Sequence, residues 1–195
     1  SIKEIIIITT PEDNAMFKKL LGNGSQWGVS IDYAIQDNPE GIAQSLLIAE
    51  DWLNGSPLVL ILGDNLFFGP KLSNIIEDSI SRNKGSTVFS YKVDDPERYG
   101  VIELDDDLNI QTIQEKPKNP KSNWIVTGLY IYDNHAVNYT KGLKKSERGE
   151  YEITDLNKVY LEKKILKPIF LDNSFSWLDT GTFDTLFEAS KFVKE

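Results

Sequence analysis

Without a single cysteine, the chain can hold no disulfide framework, no thiolate metal site and no thiol nucleophile. Histidine occurs once, at His135, so a His-rich metal site is excluded and a Ser-His-Asp machine would rest on that one residue. No apolar run reaches the ~20 residues that span a bilayer, and no basic-then-apolar leader opens the chain. A cytoplasmic location with no membrane partner is therefore expected. Positive charge is short too: 21 Lys+Arg face 30 Asp+Glu, a formal net charge of −9. Such a surface repels phosphate backbones at long range, which argues against a nucleic-acid partner. One small anion at a local basic spot remains compatible with it. Chemistry must run on carboxylates, lysines, hydroxyls and backbone amides.

What is present has a globular balance, with 40% hydrophobic and 26% charged residues in a length that suits one domain or slightly more. The chain passes from Ser1-Ile2-Lys3-Glu4 straight into Ile5-Ile6-Ile7-Ile8, a β-branched run of the kind buried on both faces of a parallel sheet. A natural chain can begin this way, but a chain cut out of a larger domain does so more often. Strand and helix patterns then alternate. Strands are expected over Ile5–Thr9, Ile31–Ile35, Leu58–Leu62 and Thr87–Val93, and helices over Pro11–Leu21, Gly41–Leu53 and Lys71–Arg82. This rhythm predicts an α/β fold with a Rossmann-like, mostly parallel (mixed) sheet flanked by helices. The second half changes character. Strands over Val101–Leu104, Ile110–Gln114 and Ile125–Tyr132, separated by short polar turns, predict antiparallel pairing. Helices over Glu152–Lys163 and Phe183–Lys194 flank a further strand at Ile165–Leu171.

Open α/β sheets bind ligands beyond the carboxyl ends of their strands. Asp64 stands there, just past the Leu58–Leu62 run and beside Gly63, and reads either as a carboxylate for a divalent ion such as Mg²⁺ or as a turn residue capping the next helix. Asp179, in Trp177-Leu178-Asp179-Thr180-Gly181-Thr182, reads either as a second such carboxylate or as the N-cap of the helix near Phe183. Lys116, in Gln114-Glu115-Lys116-Pro117, follows a strand and is stiffened by proline. It could offer a point charge to a phosphate, or be a plain exposed loop lysine. Neither a Gly-x-Gly-x-x-Gly dinucleotide fingerprint nor a P-loop occurs.

Six motifs in order carry more than any one of them. They are Leu62-Gly63-Asp64-Asn65, Asp95-Pro96-Glu97-Arg98-Tyr99-Gly100-Val101, Glu115-Lys116-Pro117, Val126-Thr127-Gly128-Leu129-Tyr130, Gly149-Glu150-Tyr151-Glu152-Ile153-Thr154-Asp155 and Trp177-Leu178-Asp179-Thr180-Gly181-Thr182. In these the chain closely resembles the sugar-phosphate nucleotidyltransferases of the glucose-1-phosphate thymidylyltransferase type, over essentially its whole length. The resemblance implies that dTTP and glucose 1-phosphate give dTDP-glucose and pyrophosphate with Mg²⁺, the first step toward dTDP-rhamnose. It further implies metal carboxylates at Asp64 and Asp179, and a sugar-phosphate cation at Lys116. Sugar contacts would fall at Gly100, Glu115 and Val126 with Tyr99 and Thr154 nearby, base contacts at Gln36, Pro39 and Gly41, and further substrate contacts at Asn65 and Trp177. A homo-oligomer, tetrameric in such enzymes, is implied as well. One domain over residues 1–195 would divide into a nucleotide-binding half, 1–95, and a sugar-phosphate half, 96–195.

The same resemblance marks a departure. Members of that group open with a Gly-x-Gly-Thr-Arg-Leu loop and a Pro-x-x-Lys segment that balance the leaving pyrophosphate, and they carry a further helical segment after the last helix. Neither stands in these residues, so the chain is expected to be an internal piece, truncated at both ends and inactive by itself. Two other readings stay open at this stage: a non-catalytic module that binds sugar phosphate or nucleotide, and a uridylyltransferase of the same kind.

Overall fold

Glycines and capping hydroxyls punctuate the chain where the elements change, and a computed structural model describes residues 2–194 as a mixed α/β arrangement in two units. The first unit comprises Ser1–Pro57 and Asn134–Leu156. In it β1 (Glu4–Thr9) runs parallel to β2 (Ser30–Ile35), from Glu4 opposite Ser30 to Thr9 opposite Ile35. Helix α1 (Pro11–Leu21) joins them. Thr10 Oγ1 accepts from Asp13 N at 3.3 Å, Pro11 takes the first turn, where its missing N–H is not needed, and Glu12 and Asp13 sit at the positive end of the helix dipole. Gly22, at φ 58°, ends the helix. The Ile5–Ile8 run is half-buried instead of enclosed on both faces, since β2 is the one strand paired with β1 among the described residues.

The helix expected over Gly41–Leu53 starts late and breaks. Gly41 has φ 99°, outside the helical region, and Ser45 Oγ donates to Ile42 O at 2.7 Å, so that carbonyl bonds a side chain. What forms is α2 (Gln44–Ile48) and α3 (Glu50–Leu53), meeting at Ala49, with Ala43, Leu46, Ala49 and Leu53 buried. A short helix that the sequence reading did not anticipate, Ala136–Lys141, packs on α2.

The second unit comprises Leu58–Asp133 and Asn157–Glu195. Its spine is the nine-residue strand Trp124–Tyr132, buried almost throughout. Numbering on in chain order, the strands are β3 (Leu58–Ile61), β4 (Asn65–Phe68), β5 (Ser86–Lys92), β6 (Gly100–Leu104), β7 (Ile110–Glu115), β8 (Trp124–Tyr132), β9 (Leu166–Phe170) and β10 (Ser176–Asp179). One edge of β8 pairs antiparallel with β5, which pairs parallel with β9. The other edge is shared, by β6 at Ile125 and Val126 and by β3 from Leu129 to Tyr132. Beyond β6 lies β7, antiparallel, as the polar turn at Asp105-Asp106-Asp107 predicts. Parallel pairing is thus confined, among the described residues, to β1–β2 and β5–β9, because β8 runs back between its neighbours. A separate antiparallel ribbon, β4 with β10, escaped the sequence reading. Both strands are four residues long, too short to show a period.

Helix α4 (Leu72–Arg82) covers this sheet with Leu72, Ile75 and Ile76, packed against a core of Phe89, Leu129, Ile131, Leu171 and Phe175. A second cluster of Val101, Ile125 and Trp177 carries Tyr99 edge-on to the Trp177 ring at 5.3 Å. The remaining helices are α5 (Ala136–Lys141), α6 (Ile153–Glu162), within which the division between the units falls, and α7 (Phe183–Lys194). Among the described residues no helix is long and apolar enough to cross a membrane.

Candidate active site

Along the shared edge of β8 the partner changes from β6 to β3, and between them Thr127 and Gly128 have no ladder partner on that side. Buried backbone groups need partners. Gly128 O takes Leu62 N at 2.9 Å, while Gly128 N donates at 2.9 Å to the Asn65 side-chain oxygen. On the opposite edge the β5 register slips between Val88 and Ser90, and there Thr127 Oγ1 donates to Phe89 O at 2.8 Å. Such a divergence of strands is where α/β sheets open a crevice. Within this unit Asp64, Asn65, Trp177 and Asp179 gather around it.

Asp64 follows this fork. The next element is the strand β4, and α4 begins only at Leu72, so Asp64 caps no helix. Its backbone carbonyl accepts from Thr180 N at 2.8 Å and from Thr180 Oγ1 at 2.9 Å, which fastens it to the end of β10. Asp179 closes β10 opposite Asn65 in the ribbon. It does not cap α7 either: Thr182 does, its Oγ1 accepting from Thr185 N at 3.2 Å while Thr185 Oγ1 accepts from Thr182 N at 3.1 Å. The turn at Gly181 brings the two acids to one place. A Cβ placed on Gly181 would lie 3.1 Å from Asp179 Oδ1 and 3.5 Å from Asp64 Oδ2.

Two carboxylates about a residue without a side chain fit Mg²⁺, which takes one or two protein carboxylates and completes its shell with water and substrate phosphate. Among the described residues no cluster of three or more ligating side chains occurs, so an ion demanding a full protein cage does not fit.

Asp179 is held on several sides. Tyr99 OH donates to its Oδ2 at 3.0 Å, Gly181 N donates to its Oδ1 at 3.0 Å, and Arg98 stands 3.6 Å from Oδ2 while pairing with Asp95 at 2.9 Å. Burial, then the charge and hydrogen bond of Asp179, raise the Tyr99 hydroxyl well above its ordinary value, so it stays a donor. The Asp95 hydrogen bond raises the Arg98 guanidinium further still. Arg98 was not singled out from the sequence, although it lies inside a quoted motif. Gly128, Thr180 and Gly181 were likewise quoted without a role.

Lys116 emerges exposed from β7 with φ 42°, and its N donates to Tyr99 O at 2.9 Å. One tyrosine therefore pins the lysine backbone through its carbonyl and an acid of the pair through its hydroxyl. Gly100 lies opposite Glu115 on one side and opposite Val126 on the other, so the three sugar-contact candidates form one rank across β7, β6 and β8. Asn65 and Trp177, taken as substrate contacts, are buried and engaged with each other: Trp177 Nε1 donates to Asn65 Oδ1 at 2.6 Å.

The other candidates belong to the first unit. Gln36 Nε2 donates to Gly41 O at 3.1 Å and to Gln44 Oε1 at 2.5 Å, and Gly41 presses on the Tyr151 backbone, where a Cβ would meet Tyr151 N at 2.8 Å. Pro39 is exposed, and Thr154 is buried in the first turn of α6.

Comparison with known proteins gives the family and the fold. The profile of a family described as nucleotidyl transferase matches residues 1–195. The chain belongs to the nucleotidyl transferase family. Curated relatives named glucose-1-phosphate thymidylyltransferase include one from Neisseria gonorrhoeae, 49% identical over 193 residues, and one from Xanthomonas campestris pv. campestris (strain B100), also 49% identical over 193 residues. These matches cover 99% of this chain but 67% and 65% of those proteins. A Bacillus anthracis crystal structure, provisionally described as a glucose-1-phosphate thymidylyltransferase and holding sucrose, superposes with a TM-score of 0.87 at 39% identity, covering 97% of this chain and 76% of that one. A UDP-glucose pyrophosphorylase with UDP-glucose shares the fold alone, at TM-score 0.79 and 21% identity, over 98% of this chain and 81% of that one. The expected α/β nucleotidyltransferase fold is thus met in solved structures.

Proposed function

We propose that the chain supplies the metal carboxylates and the sugar-phosphate cation of an enzyme that carries out thymidylyl transfer from dTTP to glucose 1-phosphate, releasing dTDP-glucose and pyrophosphate. The observation that carries this is the convergence on Gly181 of Asp64 and Asp179, with Lys116 fastened to the Tyr99 that holds Asp179. The names of the relatives supply the substrates, and the rank Gly100, Glu115 and Val126 supplies a surface for sugar hydroxyls.

In this reading a phosphate oxygen of glucose 1-phosphate attacks the α-phosphorus of dTTP. A new P–O bond forms as the α–β bridging P–O bond breaks, and the electron pair leaves on pyrophosphate. The attacking oxygen is already deprotonated at neutral pH, so no general base is called for. Lys116 neutralises the sugar phosphate without protonating it, which removes repulsion between two anions while the oxygen stays reactive. Asp64 and Asp179 would hold Mg²⁺, which when bound neutralises charge on the nucleotide phosphates. Gln36, Pro39 and Gly41 would contact the base and Thr154 the sugar side. Thymine and uracil differ by one methyl, worth about 1–3 kcal/mol in an apolar contact, so the base alone gives a preference of modest size between dTTP and UTP, which differ also by the 2′-hydroxyl. In this reading the enzyme works in the cytoplasm as a homo-tetramer.

The test is pyrophosphate release by these residues joined to a Gly-x-Gly-Thr-Arg-Leu and Pro-x-x-Lys segment of the group, with glucose 1-phosphate and either dTTP or UTP, with and without Mg²⁺. Asp64→Asn and Asp179→Asn should each lower kcat by roughly two to three decades, the scale of losing one preorganised electrostatic group. Wild-type rates in both variants would refute the assignment.

A further inference from the structure

The residue following Asp64 carries more of the site than its exposed neighbours do. Asn65 is only 8% exposed, and both its side-chain oxygen and nitrogen are hydrogen-bonded. Its Oδ1 accepts from Gly128 N at 2.9 Å and from Trp177 Nε1 at 2.6 Å, and its Nδ2 donates to Asp64 Oδ1 at 2.8 Å. The two accepted bonds fix which end of the amide is oxygen, since both partners are N–H groups that cannot accept. The amide therefore has one orientation, with its NH₂ turned to the carboxylate.

From this we infer that Asn65 is a positioning residue for the metal carboxylates, an inference that rests on the reading of Asp64 and Asp179 as a cation pair. Asn65, the first residue of β4, ties β8 and β10 to one acid. Gly128 anchors it to the fork in β8, Trp177 to β10 two residues before Asp179, and its donated bond fixes the rotamer of Asp64 so that Oδ2 faces Gly181. The Asn65 oxygen is used twice within the protein and one of its two amide N–H donors once, so a substrate contact at Asn65 is confined to the second N–H. Partners that orient a metal ligand typically change metal affinity 10–100-fold when removed.

Mn²⁺, which suits carboxylate and water ligands as Mg²⁺ does and is read directly by electron paramagnetic resonance, serves as the probe on the full chain without substrates. Asn65→Ser removes the donor to Asp64 and adds no charge. The expected result is Mn²⁺ binding weakened 10–100-fold, a raised Mg²⁺ half-saturation in turnover, and a KM for glucose 1-phosphate within about twofold of wild type. Unchanged Mn²⁺ affinity in a variant that melts cooperatively overturns the inference.

If Asn65→Ser does not fold, Asn65→Asp decides. It keeps an oxygen for Gly128 and Trp177 but sets an oxygen against Asp64 where the amide donated, so Asp64 turns away and Mn²⁺ binding weakens. Equal or tighter binding overturns the inference. Asp64→Asn is run alongside. Loss of Mn²⁺ in Asp64→Asn with full affinity in the Asn65 variants removes Asn65 from its role and leaves the two-carboxylate reading standing. Full affinity in Asp64→Asn removes that reading itself.

Discussion

Gly128 is the position where a single methyl group should do most damage. A Cβ there would lie 2.6 Å from Asn65 Oδ1, 2.7 Å from Asn65 Cγ and 2.8 Å from Leu62 Cγ, all nearer than the 3.0 Å below which real Cβ contacts are essentially never seen. Asn65 cannot slide aside cheaply, because its oxygen holds Trp177 and the Gly128 N–H itself, and Leu62 is held by its own bond to Gly128 O. Overpacking a tight interior costs about 1–3 kcal/mol, and each buried hydrogen bond lost in relieving it adds about 1 kcal/mol. Gly128→Ala should therefore lose about 2–4 kcal/mol, or roughly 5–15 °C in Tm for a chain of this size.

Urea unfolding of Gly128→Ala beside wild type reads this as a lowered midpoint at constant slope. Gly63→Ala is the control. A Cβ at Gly63 meets nothing within 4 Å, so its midpoint should stay within about 0.5 kcal/mol of wild type. If Gly128→Ala matched that control, the packing of Asn65 into the β8 fork would be wrong, and with it the account of what orients Asp64.

Three further outcomes are expected. Lys116→Met and Lys116→Ala should both lower kcat/KM for glucose 1-phosphate by roughly two to four decades with dTTP affinity little changed, and the retained stem of Met separates charge from packing in steady-state kinetics. Thr182→Ala should cost about 1 kcal/mol in thermal unfolding by uncapping α7, and should leave Mn²⁺ affinity alone because Thr182, unlike Asp179, holds only the helix. Burial raises the hydroxyls of Tyr99, Tyr130 and Tyr132 above the ordinary value of 10.0, so the unfolded chain releases these protons first. Stability should hold below pH 10 and fall above it, and Tyr130→Phe should lessen that fall in denaturation measured between about pH 9 and 11.

The parts of the fold legible in the sequence are those with a local cause. Thr10-Pro11-Glu12-Asp13 writes the start of α1 in capping, backbone geometry and dipole at once, and α1 forms where that pattern puts it. The Gly41–Leu53 pattern misled because its apolar spacing is helical while Gly41 is not: φ of 99° brings it against Tyr151, a residue far along the chain whose approach no local pattern encodes. The β4–β10 ribbon was hidden for the same reason. Its two strands lie more than a hundred residues apart, and each is too short for its alternation to stand out.

The site divides along the same line. Asp64, Asp179 and Lys116 stand at strand ends beside glycine or proline, where a chain that is turning presents a side chain outward, and a reader of sequence looks there first. What holds them is written at a distance. Asn65 reaches Gly128, 63 residues on, and Trp177, 112 residues on. Tyr99 reaches Asp179, 80 residues on. Asparagine and tryptophan beside acids look like ligand contacts because polar and aromatic side chains near a strand end usually are exposed to one. Here the asparagine satisfies a backbone N–H left open where β6 gives way to β3, and the tryptophan N–H donates to the same oxygen. The requirement for a buried partner at Gly128 comes from the sheet, so the residue that answers it becomes intelligible only once the strands are paired. In the proposed reaction Asp64 and Asp179 carry the chemistry, and the open amide of a forked sheet decides which buried side chain must hold Asp64 in place.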